Sequence, residues 1–365
     1  MTVSGFLLTV FGAAFVVQGA YWLLLQVGFR RAHRPAAPLP EAPPPISVIV
    51  PVRNEAANLP ALLAALTRQS YPQYEIILVD DASTDATPAL ARTWQQAHPN
   101  LCLLSVETPK EPRKKHALTQ GIDAATHALL AFTDADCTPP PDWLAVLAQH
   151  HHAVQQEALL VGYSPFRKAP GLLNRLARYE TFVTGFLTAA TIGLGRPYMA
   201  VGRSISYSRA VFRRIGGFAH SLHSLSGDDD LLVQEVARRR AAVVRHVFDP
   251  RSFVPSTPPA TWRVWLRQKR RHLSAGRFYD REMQTHLGLF HATSIALWAA
   301  PLVLGWVGLG LLGTKLLVQA AVLYRAAGAL HERDLLPTQP FLELLYAAYN
   351  LVLAPLGLAR IPKRW

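Results

Sequence analysis

No charged residue interrupts the chain from Gly5 to Val27. That run is long enough to cross a hydrocarbon core of about 30 Å as one helix. Its opening, MTVSG, lacks the positive leader of a cleaved signal peptide, so residues 1–30 read as a retained transmembrane anchor. Arg30, Arg31, His33 and Arg34 follow, and the positive-inside rule holds that end in the cytoplasm. Residues 31–45, rich in proline and alanine, form a semi-extended linker. At Ile46 the pattern changes to short β-branched runs alternating with alanine- and leucine-rich stretches, which predicts an α/β domain with a mainly parallel sheet over residues 46–286. Ile46–Val52 and Glu75–Val79 read as its first two strands. Leu59–Gln69 reads as the helix between them, stopped by Tyr71-Pro72.

Apolar sequence resumes over residues 287–330, about twice the length one spanning helix needs. A transmembrane hairpin turning near Gly305 to Gly310 is expected. The last segment, residues 331–365, holds the polar cluster His331, Glu332, Arg333 and Asp334, an apolar run from Phe341 to Leu358, and the basic end Arg360, Lys363 and Arg364. A full span there would carry the basic end outside, so an interfacial or re-entrant helix is expected. Should residues 287–330 form one long helix instead, the last run would span, and either route leaves the carboxyl end in the cytoplasm.

Composition supports a membrane protein. Charged residues are 17% and hydrophobic residues 50% of the 365 positions, against about 25% charged for an ordinary soluble chain. The formal net charge of +13 suits anionic lipid, a polyphosphate ligand or a nucleic acid. The adjoining membrane segments argue against nucleic acid. Two cysteines far apart, Cys102 and Cys137, exclude a disulfide framework and fit a reducing compartment. The acidic clusters lie in the soluble portion rather than within spans, which argues against a transporter or channel.

Those clusters sit where chemistry is expected in a parallel sheet, beyond the carboxyl ends of the strands. Asn54 and Glu55 follow the first strand, Asp80 and Asp81 the second, and Ala128–Phe132 leads into Asp134-Ala135-Asp136. The pieces PVRNEAANL, LVDDASTDAT, KKHALTQG, FTDADC, SGDDDLL and QKRRH, in that order, resemble the inverting family-two glycosyltransferases of GT-A fold. The likeness covers about two thirds of the chain and is greatest to membrane-bound members, which include polysaccharide synthases and ceramide glucosyltransferases.

The resemblance implies a GT-A (Rossmann-like) cytoplasmic domain, flanked by N-terminal and C-terminal transmembrane helices, that uses a nucleotide-sugar donor and a divalent Mg2+ or Mn2+. The metal role falls on Asp134 and Asp136, whose hard oxygens at i and i+2 suit such an ion. Pro51, Asn54, Glu55, Asp80 and Asp81 fall on the nucleotide pocket, Asp134 also on the nucleotide-sugar site, and Lys114 on the lysine that approaches the diphosphate, with Arg113 and Lys115 beside it. Asp85 reads equally as a cap for a helix over Thr87–Ala97. Gly227-Asp228-Asp229 resembles the family's Gly-Glu-Asp motif, whose aspartate is the general base; setting Gly227 on its glycine selects Asp229, and a shift of one residue selects Asp228.

Gln268, Arg271 and His272 resemble the QxxRW motif that serves acceptor and diphosphate, with histidine where tryptophan is expected. The basic and aromatic stretch around residues 262–278 predicts an interfacial helix. The expected activity is inverting sugar transfer to a lipid-linked or membrane-embedded acceptor at the cytoplasmic face of a multi-pass protein, as in a bacterial inner membrane. Processive synthesis of a cell-surface polysaccharide is the alternative, and an inactive GT-A-type binding protein a more remote one.

Overall fold

The computed structural model describes residues 2–154 and 156–359; the basic end named above lies outside them. In chain order the elements begin α1 (Val3–Ala32), β1 (Ile46–Val52), α2 (Leu59–Leu66), β2 (Tyr74–Asp80), α3 (Thr87–Ala97) and β3 (Leu101–Ser105). They continue α4 (Arg113–Ala124), β4 (Leu129–Phe132), α5 (Trp143–His152), β5 (Ala158–Gly162), α6 (Leu172–Gly193), β6 (Ile205–Ser208) and α7 (Arg209–Arg214). The remainder is α8 (Asp230–Arg238), β7 (Val243–Val247), α9 (Trp262–Ala275), α10 (Arg281–Leu304), α11 (Trp306–Ala329) and α12 (Gln339–Ala359).

These elements form two compact units, and the division is not linear in sequence. One unit takes residues 32–167 and 195–258, and the other residues 2–31, 168–194 and 259–359. Within the span 46–286 expected of the α/β domain, α6 and α9 group with the apolar helices. Burial gives the physical reason. α6 is buried on nearly every side, from Leu176 and Tyr179 to Phe186 and Ile192, as a helix inside a helical bundle must be.

The α/β unit is built on a seven-stranded sheet in the order β3-β2-β1-β4-β6-β5-β7. β1 pairs in parallel with β2 and β4, and β2 with β3, whereas β6 runs antiparallel between β4 and β5. Both faces of the central strands are covered, so β1 and β2 are nearly continuous apolar runs with buried side chains. The chain reverses its order across the sheet between β1 and β4, and this switch point opens a crevice at their carboxyl ends. Helix α4 lies tightly on the sheet: a Cβ at Gly121 would stand 2.6 Å from Ile49 and 2.9 Å from Val79. That approach fixes the amino end of α4 beside the crevice. α2 stops at Leu66, earlier than Tyr71-Pro72 implied, where the Thr67 hydroxyl bonds back to the Leu63 carbonyl at 2.8 Å.

In the helical unit, α1, α10 and α11 are long and apolar enough to cross a membrane. Gly305, at φ +55°, turns the chain between α10 and α11. Small residues let helices approach: a Cβ at Gly308 would meet the Ala300 carbonyl oxygen at 2.1 Å, and one at Gly28 the Ala190 oxygen at 2.2 Å. Trp22 stacks on Phe186, ring centroids 5.9 Å apart. Buried charges are paired. Arg178 holds Glu332 and Asp334, Lys269 meets Glu180 at 2.6 Å, and Lys315 meets Glu343 at 2.8 Å. Removing one member of such a pair strands the other charge in the bundle, which costs about 3–5 kcal/mol.

Candidate active site

Pro51 at the end of β1, Thr133 and Asp134 after β4, Lys114 on α4, Gly202 before β6, and Asp228 and Asp229 before α8 line one crevice. The loops after β1 and β2 are tied to each other. The Asn54 amide donates to Ser83 Oγ at 2.9 Å, the Thr84 amide to Asn54 Oδ1 at 2.8 Å, and the Asp81 amide to the Val52 carbonyl at 2.9 Å. Asn54 takes φ +54°, a left-handed conformation that asparagine tolerates better than most residues. Burial raises the Glu55 carboxyl, helped by the charges of Asp136, Asp134 and Asp85, so this strand end shares the field of the other. Asp85 accepts from the Thr87 amide at 2.9 Å and the Ala56 amide at 3.2 Å, which makes it a structural tie at the start of α3.

The two aspartates after β2 differ. Asp80 Oδ1 accepts from the Ser83 amide at 3.3 Å. Asp81 is bridged by Arg113, which reaches its Oδ2 at 2.7 Å and its carbonyl at 2.7 Å. The other oxygen of Asp81 is buried without a partner, an acceptor left open.

The centre of the crevice is a charge network. Lys114 Nζ lies 3.0 Å from Asp134 Oδ1 and 2.8 Å from Asp228 Oδ2. Burial alone would favour neutral Lys114, but the charges of Asp134, Asp228 and Asp229 outweigh it and hold the lysine protonated. At Asp228 burial works upward, yet Lys114 wins and keeps this carboxyl below its ordinary range. Asp229 goes the other way: burial, then the Asp228 charge, push it up to about 6. Its two oxygens accept from the Gly202 and Asp230 amides, each at 2.8 Å, and so it caps α8 while facing the crevice. Gly227, at φ +77°, makes the turn that delivers the pair.

Asp136 Oδ2 accepts from Ser256 Oγ at 3.0 Å, and the Asp136 carbonyl accepts from the Thr257 amide at 3.0 Å. Ser256 and the Gly202 amide were not legible as site residues, since no sequence motif marks them. Nor was the separation of two adjacent lysines. Lys115, buried beside Lys114, donates to the carbonyls of Ser221, Ser224 and Ser226 at 2.6, 2.9 and 3.0 Å, and so clamps the loop that leads into Gly227. Burial pushes Lys115 down to about 8, against the pull of Asp228 and Asp229. Gln268, Arg271 and His272 stand on α9, which belongs to the helical unit, whereas the aspartates belong to the α/β unit. The exposed side of α9 presents Trp262, Val264 and Leu266, while Trp265 is buried against Tyr349.

This topology and crevice define a GT-A fold, the scaffold of nucleotide-sugar-dependent transferases. Residues 47–216, a little under half of the chain, match Glycosyl transferase family 2. A mannosyltransferase from Pyrobaculum calidifontis, PcManGT, solved with GDP-Man and Mn2+, shares the fold with a TM-score of 0.58 at 20% identity, over 96% of this chain and 99% of that one. Glycosyltransferase AglE of Haloferax volcanii is 41% identical over 103 residues, 28% of this chain and 33% of the relative. An undecaprenyl-phosphate 4-deoxy-4-formamido-L-arabinose transferase of Serratia proteamaculans is 35% identical over 100 residues, 27% of this chain and 30% of the relative. The chain thus matches about a third of the length of these curated relatives.

Proposed function

We infer that this glycosyltransferase moves a sugar, with inversion, from a nucleotide-diphosphate donor to a lipid-linked or membrane-embedded acceptor at the cytoplasmic membrane face. The observation that carries the reading is the Asp228–Asp229 pair. One carboxyl is held ionised by Lys114 and the other raised to about 6, side by side in one crevice. A group that must accept a proton from an acceptor hydroxyl serves best when its pKa lies near the working pH. Asp229 fits that task and Asp228 does not. In a single displacement the acceptor oxygen bonds to the anomeric carbon, the bond from that carbon to the diphosphate breaks, and Asp229 takes the hydroxyl proton.

The leaving diphosphate gathers negative charge. Lys114 is the cation beside it. Asp134 and Asp136 fit a magnesium or manganese ion: both offer hard oxygens, and the Asp134 side chain keeps 30% exposure toward the crevice. Among the described residues no third His, Cys, Asp or Glu joins them, so the remaining positions suit phosphate oxygens and water. When bound, the ion offsets the charge of the leaving group. Asp81, with one open buried acceptor, supports contact to N–H or O–H donors of the nucleoside.

A lipid acceptor is supported by the three apolar helices, by the basic and aromatic α9, and by the lipid-carrier substrate in the name of the Serratia relative. The test is incubation of detergent-solubilised protein and Mn2+ with a panel of labelled nucleotide sugars and native membranes, followed by sizing of the product. A chloroform-soluble product of one or a few sugars is expected. Asp229→Asn should abolish that product while retaining donor binding. A water-soluble polymer of many sugars would overturn the lipid reading, and wild-type turnover of no donor would overturn the enzyme itself.

A further inference from the structure

Three of the cations in and around the crevice already have protein partners. Lys114 is paired with Asp134 and Asp228, Arg113 with Asp81, and Lys115 with loop carbonyls. Arg203 is not. Its guanidinium carbon sits 4.8 Å from the centroid of the Phe166 ring, and its Nη1 is buried with no hydrogen-bond partner. An aromatic face holds a cation in place without using its N–H donors. Leaving such a donor buried and unpaired is costly unless something else supplies the acceptor.

The surroundings say where that acceptor belongs. Arg203 follows Gly202, whose amide holds Asp229. Phe166 and Cys137 both bridge to Ser256, and Ser256 Oγ bonds Asp136 Oδ2. At the buried Cys137 thiol the Arg203 charge opposes those of Asp136 and Asp134, so all three act at one place. A guanidinium that follows a crevice-lining glycine and acts on the same thiol as two carboxylates, yet bonds neither, is arranged for an anion that arrives with the substrates.

We propose that Arg203 binds a phosphate oxygen in this crevice; the proposal rests on the glycosyltransferase reading. Its planar fork suits phosphate oxygens. Two sources carry that chemistry, the donor diphosphate and the phosphate of an acceptor lipid.

The experiment uses the full chain in detergent with Mn2+. Binding of GDP, UDP, GMP and UMP is measured by calorimetry for wild type, Arg203→Ala and Arg203→Lys. Initial rates are then measured against a polyprenyl phosphate. If the donor is the source, Arg203→Ala weakens the bound nucleoside diphosphate about tenfold or more, a loss typical of one charge-assisted contact, and shifts the monophosphate less than about twofold. If the acceptor is the source, nucleotide affinities stay and the KM for the polyprenyl phosphate rises by a similar factor.

Arg203→Lys keeps a cation over Phe166 and loses the fork, so it should show the same selective loss at smaller size. It also replaces the alanine variant if that one fails to fold. Unchanged values in both arms, or equal losses for mono- and diphosphate, overturn the proposal and leave a merely structural Arg203. Wild-type protein that binds neither GDP nor UDP defeats the donor reading itself, and this proposal with it.

Discussion

Asp228→Asn should move the acid limb of the activity profile toward lower pH. Asp229 is raised from an ordinary 3.8 to about 6, first by burial and second by the Asp228 charge. The asparagine keeps the shape beside Lys114 but removes that charge, while burial remains. Lys114, relieved of one partner 2.8 Å away, still faces Asp134 at 3.0 Å and adds its pull on Asp229. Both changes favour the ionised carboxylate, and the limb should fall by about one unit, equivalent to about 1.4 kcal/mol. The sign follows from the role: a base works ionised, so activity is lost as pH drops through its pKa. At about pH 5 wild type should keep roughly a tenth of its plateau rate and the variant about half. The assay is kcat/KM for a labelled donor across the range at saturating Mn2+. A limb that stays near 6 or moves upward refutes the reasoning. Loss of transfer at every pH with donor binding intact would make Asp228 the base.

Further outcomes follow from the same geometry. Exhaustive chelation should abolish transfer and added Mn2+ or Mg2+ restore it, because the proposed reaction assigns Asp134 and Asp136 as hard ligands of the ion; full activity without metal would refute this. Lys115→Met leaves three buried carbonyls without their donor and should cost about 2–4 kcal/mol, read as a lowered Tm together with a fall in kcat, since the loop before Gly227 loses its clamp. An unchanged Tm would show that the clamp is not structural. A cysteine placed between Ala36 and Pro44 should resist an impermeant thiol reagent in intact cells, because the positive-inside rule predicts a cytoplasmic side for Arg30, Arg31 and Arg34; labelling before lysis would invert the topology.

By itself the sequence determined the elements whose cause is local, and also the edge of the sheet where the acidic groups lie. β1 is legible as Ile46–Val52 because a buried parallel strand is a continuous β-branched run bounded by turn formers. α3 is legible as Thr87–Ala97 from its cap and apolar spacing. Parallel strands put all their carboxyl ends on one side, so Pro51 after one strand and Asp134 after another had to approach the same crevice. What only the tertiary structure decided concerns contacts between distant segments. Lys114 and Lys115 are neighbours in sequence, but about 100° apart around a helix, so one meets aspartates and the other the carbonyls of a loop more than a hundred residues away. α6 lies between two strands of the sheet in sequence, yet Arg178 on it finds its partners at the buried Glu332 and the exposed Asp334, and those partners draw the helix into the other unit. Arg203 carries no motif, and its unpaired nitrogen is buried only because folding brought it against distant residues such as Phe166. Periodicity reports which face of an element is apolar; which charge meets which, across the chain, is settled only by the packing that desolvates them.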